Sequence, residues 1–166
     1  MDSRRATIVW LLVALVVFGV GMFFSRRTEK PPEAPSWQRP VSELTSPQQK
    51  FFTTLREQLR KAESERAKDR KWPAATGIFP AGFTLAQQGI YVNYSGESEG
   101  LRWLVLFIEP DPRFGAEKVP EDDEHHVLSD GTMLHVTVWT QPISEPRPER
   151  VTAFPAAEGW VERVRR

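Results

Sequence analysis

The chain has 166 residues, enough for one domain once a membrane segment and linkers are set aside. Its 22 basic residues balance its 22 acidic residues, so no excess of positive charge favours nucleic acid as a partner. Because the chain contains no cysteine, disulfides, thiol catalysis and cysteine-based zinc sites are excluded.

A transmembrane helix is predicted near the start of the chain. Residues 6–24, ATIVWLLVALVVFGVGMFF, carry no charge. At about 1.5 Å per residue they span roughly 28 Å, close to the thickness of a bilayer's hydrocarbon core. A signal peptide cleaved after Gly21 is the alternative, but the apolar run continues past that point. We therefore expect residues 1–27 to be an uncleaved anchor that contacts lipid from Ala6 to Phe24.

The position of this anchor predicts where the rest of the chain lies. The tail before it is too short to be a domain, so residues 28–166 hold the functional part. Two basic residues precede the span and three come after it, a difference too small to determine orientation. Anchors with such short tails usually export the domain on their C-terminal side. We therefore expect residues 28–166 in the periplasm, tethered to a bacterial inner membrane.

A spacer and a helix are predicted next. Residues 28–46 are rich in proline, which favours an extended, semi-rigid linker. Ser46 and Gln49 form a capping box with Pro47 in the first turn, which predicts the start of a helix. Apolar residues then recur at three- and four-residue spacing, before a charged, solvated extension that ends at 72–73. The apolar positions are Phe51, Phe52, Leu55, Leu59 and Ala62.

Strands are predicted in the middle of the chain. Segments 82–88 and 90–94 are rich in β-prone residues and are separated by Gly89. The segment SGESEG at 95–100 is predicted to be a loop. Residues 101–109, LRWLVLFIE, are almost continuously apolar, which predicts a central strand covered on both faces.

The remaining segments complete the predicted fold. An acidic loop at 110–123 leads into a hairpin, and residues 140–166 form a proline-rich tail. The fold predicted from this order is α+β, with the helix packed on an antiparallel sheet of four or five short strands. This domain is expected to span residues 47–139.

Charge is unevenly distributed along the chain. Residues 50–71 hold eight Lys or Arg against four Asp or Glu, whereas residues 95–130 hold ten acids against three bases. The simplest interpretation is that the basic helix and the acidic segment lie against each other within one fold. A docking surface for a charged partner is the alternative.

The hairpin segment 121–139, EDDEHHVLSDGTMLHVTVW, contains all three histidines. The dipeptide Asp-Gly at 130–131 predicts a two-residue turn. That turn pairs His126 with His135 on one face and leaves His125 on the other, buried face. The residues predicted to be buried are Val127, Leu134, Val136 and Val138.

Two facing imidazoles and a carboxylate are a ligand set that zinc uses. The candidate ligands are His126 and His135, with Glu124 or Asp123 completing the set. The first alternative is an ordinary cross-strand histidine pair with Glu124 as a salt-bridge partner. The second is a pH-sensitive contact, because two close imidazoles resist being charged together.

The arrangement of these segments resembles a known group of proteins. The anchor, GIYVNY at 89–94, LRWLVLFIEP at 101–110 and HHVLSDGTMLHVTVW at 125–139 stand in an order similar to that of small single-pass bacterial inner-membrane proteins with a domain of unknown function. The resemblance covers about residues 6–140. It implies a link to metal-uptake systems and brings no catalytic residues.

These features support two functional hypotheses. The chain lacks Gly-x-Ser-x-Gly, P-loop and dinucleotide-binding motifs, which favours a protein that is not an enzyme. The first hypothesis is a membrane-anchored accessory module that binds another protein of the cell envelope. The second is a zinc-binding accessory protein that uses the pair of His126 and His135.

Overall fold

The computed structural model describes residues 34–113, 119–145 and 150–165. Within these residues one long helix packs on a mixed seven-stranded sheet, which confirms the predicted α+β class. The elements are β1 (Gln38–Pro40), α1 (Ser46–Asp69), β2 (Thr84–Gln88), β3 (Tyr91–Ser98), β4 (Leu101–Ile108), β5 (His125–Val127), β6 (Met133–Pro142) and β7 (Val161–Val164), with short 3-10 helices at Val41–Glu43 and Pro155–Glu158.

The N-terminal cap of α1 lies one residue before the predicted position. Thr45 is the N-cap, and the side-chain oxygen of Gln48 accepts its backbone N–H at 3.0 Å. Gln49, the predicted capping partner, instead donates its side-chain N–H to the Leu44 carbonyl at 2.7 Å. The helix ends before Arg70, which adopts the left-handed conformation with φ of 54°.

One face of the sheet, which we call the inner face, is covered by α1. The predicted apolar stripe packs there, and Glu63 and Ala67 extend it into the segment expected to be solvated. The buried apolar residues on the inner face of the sheet are Val92, Tyr94, Trp103, Val105, Phe107, Leu134, Val136 and Val138. The opposite, outer face carries a smaller buried cluster of Leu104, Leu106, Trp139 and Trp160.

The sheet differs from the prediction in size and in direction of pairing. Its order is β1-β7-β6-β4-β3-β2, with β5 also paired to β6, so seven strands replace the four or five expected. β1 and β7 pair in parallel, whereas every other pair is antiparallel. Both strands lie outside 47–139, in the segments assigned to the spacer and the tail. β1 was not predicted because the prolines of this segment were interpreted as a linker. Proline is nevertheless compatible with an edge strand, and Pro40 lies at the end of β1.

The segment at 95–100 is mostly strand rather than loop. β3 continues to Ser98 and turns at Glu99 and Gly100, whose φ values of 51° and 75° suit a type I′ hairpin turn. Gly96 lies within β3 beneath the Phe83 ring, where an added Cβ would collide with the ring carbons. Glycine is therefore required at this position because an aromatic ring occupies the space of a side chain.

Strand β4 is central, as predicted from its apolar run. It pairs with β3 and β6, and residues 102–107 are buried on both faces.

The basic helix and the acidic segment also meet within the fold. Arg56 contacts Asp123 at 3.1 Å, and Arg66 contacts Glu109 at 2.8 Å. These two ion pairs agree with the interpretation that the oppositely charged segments lie against each other within the fold.

No helix in the described ranges is long and apolar enough to cross a membrane. The predicted anchor at residues 6–24 lies outside the described residues and stays a prediction.

Candidate functional site

The hairpin turns through a longer loop than the Asp-Gly dipeptide predicted. The Leu128 N–H donates to the Thr132 carbonyl at 2.8 Å, and the Gly131 N–H donates to the Leu128 carbonyl at 2.9 Å. The loop therefore comprises residues 129–131. Asp130 caps it by accepting the Thr132 N–H at 3.0 Å.

The conformation of the loop explains the difference. A two-residue type I′ turn needs positive φ at both central residues, but within the loop only Gly131, with φ of 83°, is positive. The result is a three-residue loop with glycine in the left-handed position. It shifts the pairing by one residue, and such a slip moves every side chain of one strand to the opposite face.

The one-residue shift exchanges the roles of His125 and His126. His125 is paired with His135, whereas His126 is paired with Leu134. Val127, predicted to be buried, is 44% exposed. The other three residues predicted to be buried, Leu134, Val136 and Val138, are buried as expected.

His126 is a buried residue of the inner face and is not positioned as a ligand beside His135. Its Nδ1 lies 2.5 Å from Oε1 of Glu63 on α1, and its Nε2 lies 3.2 Å from the Asp123 carbonyl oxygen. Both side chains are almost fully enclosed, with Glu63 4% and His126 0% exposed. Each ring nitrogen of His126 therefore has an oxygen atom within hydrogen-bonding distance. This pair joins the helix to the hairpin.

His125 and His135 form a ring pair on the outer face. Their ring centroids are 5.0 Å apart, and the Glu124 carboxylate lies 3.8 Å from Nε2 of His135. Nδ1 of His125 lies 3.0 Å from Oδ1 of Asp122. Burial and the neighbouring His125 lower the pKa of His135 below its ordinary value.

Asp122 organises the start of the hairpin. Its carboxylate accepts the backbone N–H groups of Glu124 at 2.8 Å and His125 at 2.7 Å. These bonds, together with the contact to the His125 ring, lower the pKa of Asp122 to about 2. Asp122 therefore fixes the orientation of the His125 ring through its contact with Nδ1.

The predicted metal ligands are only partly brought together. His135 and Glu124 lie near each other, but His126 turns into the core and Asp123 pairs with Arg56. Within the described part of the chain, no group of three His, Asp or Glu side chains is placed to hold a metal ion.

The sequence interpretation also missed Glu63 and Asp122 as partners of the histidines. Glu63 carried a recognisable signal, because it stands four residues after Leu59 on the apolar stripe of α1. A charged residue at such a position needs a buried partner. Asp122 carried no comparable signal, since it stands within a run of four acids.

A second candidate site is a cleft of about 500 Å³ on the outer face, which we call the outer-face cleft. Its floor is formed by residues of β2, β3 and β4, and its wall by residues 150–152 and Trp160. Among the described residues that line it, two are arginines and none is Asp, Glu or His. The volume falls in the usual range for small-ligand and peptide-side-chain sites.

Buried hydrogen bonds hold the cleft wall against the sheet. The Asn93 side chain accepts the Thr152 N–H at 2.6 Å and donates to the Thr152 carbonyl at 3.1 Å. Arg102 donates to Glu97 at 3.2 Å and to the Glu145 carbonyl at 2.9 Å. The guanidinium of Arg102 therefore already forms hydrogen bonds within the protein. Arg150 also lines the cleft, and its side chain is exposed to a ligand.

Trp160 places an unused donor beside the cleft. The residue is 1% exposed and packs on the outer-face cluster, yet its indole N–H meets no acceptor among the described residues. A buried donor left unpaired typically costs about 1–3 kcal/mol. The nitrogen itself is buried, so Trp160 contributes its ring rather than its N–H to the cleft lining.

No family model, curated protein or solved structure matches this chain.

Proposed function

We propose that the described domain is a non-enzymatic binding module of the bacterial cell envelope, tethered by the predicted anchor at residues 6–24. The observation that carries the proposal is the outer-face cleft. The part of the cleft that the structure describes offers amide, hydroxyl, guanidinium and indole groups. These groups bind and orient a ligand, whereas general acid–base catalysis uses groups that titrate near neutral pH.

The predicted layout of the chain supports the same proposal. An anchor followed by a proline-rich spacer would hold the domain a short distance from the membrane, where a second envelope protein can be reached. Two basic residues of α1, Arg56 and Arg66, already pair with the acidic segment. The cleft, rather than a charged face of α1, is therefore the binding surface that we propose.

Site-specific photo-cross-linking in intact membranes tests the cleft as a binding surface. A photoreactive residue at Gln88, exposed in the cleft, is expected to cross-link one protein reproducibly. The same residue at Lys61, exposed on α1, is the matched control and should not. Arg150→Glu should weaken the cross-link from Gln88. Equal products from both positions, or none from Gln88, would contradict the proposal.

The absence of cysteine allows a direct test of location. A single cysteine introduced at the exposed Glu57 is the unique thiol of the chain. We expect a membrane-impermeant maleimide to label it in spheroplasts before lysis, because the domain is proposed to be periplasmic. Labelling only after lysis would place the domain in the cytoplasm.

Zinc binding is a second candidate, favoured by the 5.0 Å separation of the His125 and His135 rings. The Asp122 carboxylate lies 3.0 Å from Nδ1 of His125, a contact of the kind that orients metal-bound histidines. We propose the ligand set His125, His135 and Glu124 in place of the predicted one. Glu124, 41% exposed, would need to turn toward the rings.

A zinc competition titration of the full-length chain in detergent tests this second candidate. Binding should weaken at least about tenfold in His125→Ala and His135→Ala. Asp123→Ala, which alters a predicted ligand that pairs with Arg56, serves as the control and should bind zinc normally. No zinc binding below millimolar concentration, or equal binding in all variants, would rule the site out.

A further inference from the structure

We propose that the outer-face cleft accepts an extended acidic segment of a partner protein, which adds as a strand to the open edge of β2. The inference rests on the proposed binding function and names the class of its occupant. Two independent features support it: the exposed edge of β2 and the charge of the cleft lining.

The edge of β2 is open to strand addition. β2 is the last strand of the sheet, and among the described residues only β3 pairs with it. Its sequence, TLAQQ, contains neither charge nor proline, and four of its five residues are exposed. Edge strands are usually protected by such residues, so an unprotected edge is a surface suited to pairing.

The register shows which backbone groups are available. The β2–β3 hairpin turns through Gly89 and Ile90, and its closing pair is Gln88 with Tyr91. In a two-residue hairpin the closing pair exchanges hydrogen bonds, and hydrogen-bonded pairs then alternate along the ladder. The backbone groups of Leu85 and Gln87 therefore point to the open edge.

An added strand would bring side chains to the cleft. Successive side chains of a strand point to opposite faces, so every second residue of the added segment lies over the outer face. The outer-face residues of β2 are Thr84, Ala86 and Gln88, and all three line the cleft. Backbone pairing at the edge and side-chain binding in the cleft are thus compatible in one ligand.

The lining favours acidic side chains on that segment. Arg150 is an exposed cation, and none of the described lining residues is acidic. A basic segment would meet repulsion from Arg150.

The probe for this proposal is an acetylated, amidated octapeptide of alternating threonine and glutamate. Binding to the full-length chain in detergent is followed by fluorescence polarisation and by the indole N–H resonance of Trp160, assigned with Trp160→Phe. We expect the acidic peptide to bind at least about tenfold more tightly than the same peptide with glutamine for glutamate. The peptide with lysine should bind still more weakly.

Two pairs of variants separate edge pairing from charge. Gln87→Pro removes an N–H that faces the open edge and leaves the ladder to β3 intact, so it should abolish binding, whereas Gln87→Ala should not. Arg150→Glu should remove the preference for glutamate, whereas Arg150→Lys should retain it. Circular dichroism checks folding, and if Gln87→Pro does not fold, the Arg150 pair carries the test.

These experiments distinguish failure of the acidic-strand proposal from failure of the proposed binding function. Equal affinity for the acidic and neutral peptides, an unmoved Trp160 indole resonance, or unchanged binding by a folded Gln87→Pro variant would overturn the acidic-strand proposal. If the cross-link from Gln88 persisted in that case, the cleft would still be a binding surface for another occupant. If the cross-link were also absent, both proposals would fail.

Discussion

The two faces of the sheet are held by different kinds of contact. On the inner face, large apolar residues pack beneath α1, and the buried pair of His126 and Glu63 joins helix to hairpin. On the outer face, a small apolar cluster is surrounded by hydrogen-bonded polar groups such as Asn93 and Arg102. We infer from this contrast that stability is concentrated on the inner face, whereas the outer face leaves polar groups such as Gln88 and Arg150 exposed.

The largest expected effect is the loss of the buried contact between Glu63 and His126. Glu63→Ala should lower the free energy of unfolding by about 3–5 kcal/mol, because it leaves the His126 ring buried without its partner. The control Glu65→Ala, exposed on the same helix, should change it by less than about 0.5 kcal/mol. Urea unfolding followed by circular dichroism measures both.

A double substitution separates the polar contact from packing at the same place. Glu63→Leu with His126→Leu replaces the pair with apolar side chains, and it should recover most of the stability that Glu63→Ala loses. Equal losses in the single and double variants would show that packing, rather than the unpaired imidazole, determines the effect.

The next effect tests packing on the inner face. Gly96→Ala should destabilise the protein by about 1–3 kcal/mol, because the added methyl collides with the Phe83 ring. In the background of Phe83→Leu the same substitution should be better tolerated. Thermal unfolding of the wild type, the two single variants and the double variant gives the coupling free energy between positions 96 and 83. Additive effects on stability would contradict the proposed collision.

The outer face should respond more weakly and more locally. Asn93→Ala removes two hydrogen bonds to the Thr152 backbone and should cost about 1–2 kcal/mol. Hydrogen exchange should accelerate most at the Thr152 amide, since that group would lose its acceptor. Ser95→Ala, at another cleft-lining position of β3, is the control. Uniform acceleration across the sheet would indicate that the outer face supports the whole fold.

The smallest effect concerns pH. The pKa of His135 is lowered by burial and by His125, so the folded state binds a proton less readily than the unfolded state. Stability should therefore fall as pH decreases through about 6.5, the ordinary histidine pKa, and be unaffected by this group well above it. His135→Gln should flatten that dependence in urea unfolding at about pH 7.5, 6.5 and 5.5, values that bracket the ordinary histidine pKa. An unchanged slope would contradict the assignment.

Much of the fold could be predicted because its signals are local. The apolar spacing of α1 and the continuous run of β4 reflect burial directly, and both elements were found. β1 and β7 were missed because each is short and is stabilised by a partner far away in sequence. The end of β3 was missed because its polar residues are typical of loops, although Gly96 is required by the distant Phe83.

The candidate site was less predictable, because a shift of one residue in the pairing of β5 with β6 changes which histidines face each other. The Asp-Gly signal located the hairpin correctly, but the loop has three residues rather than two. His125 and His126 exchanged faces, since side chains alternate along a strand. The outer-face cleft had no signal in the sequence because its lining comes from β2, β3, β4, residues 150–152 and Trp160.

The amino-acid sequence alone was enough to specify the α+β class, the helix and its buried stripe, the central strand and the presence of a histidine hairpin. These features depend on periodicity and composition within short windows. The folded chain was needed to establish that His126 pairs with Glu63, that His125 meets His135, and that Trp160 borders a polar cleft. Each of these depends on contacts between residues distant along the chain. These contacts stabilise the protein only once the whole sheet has assembled.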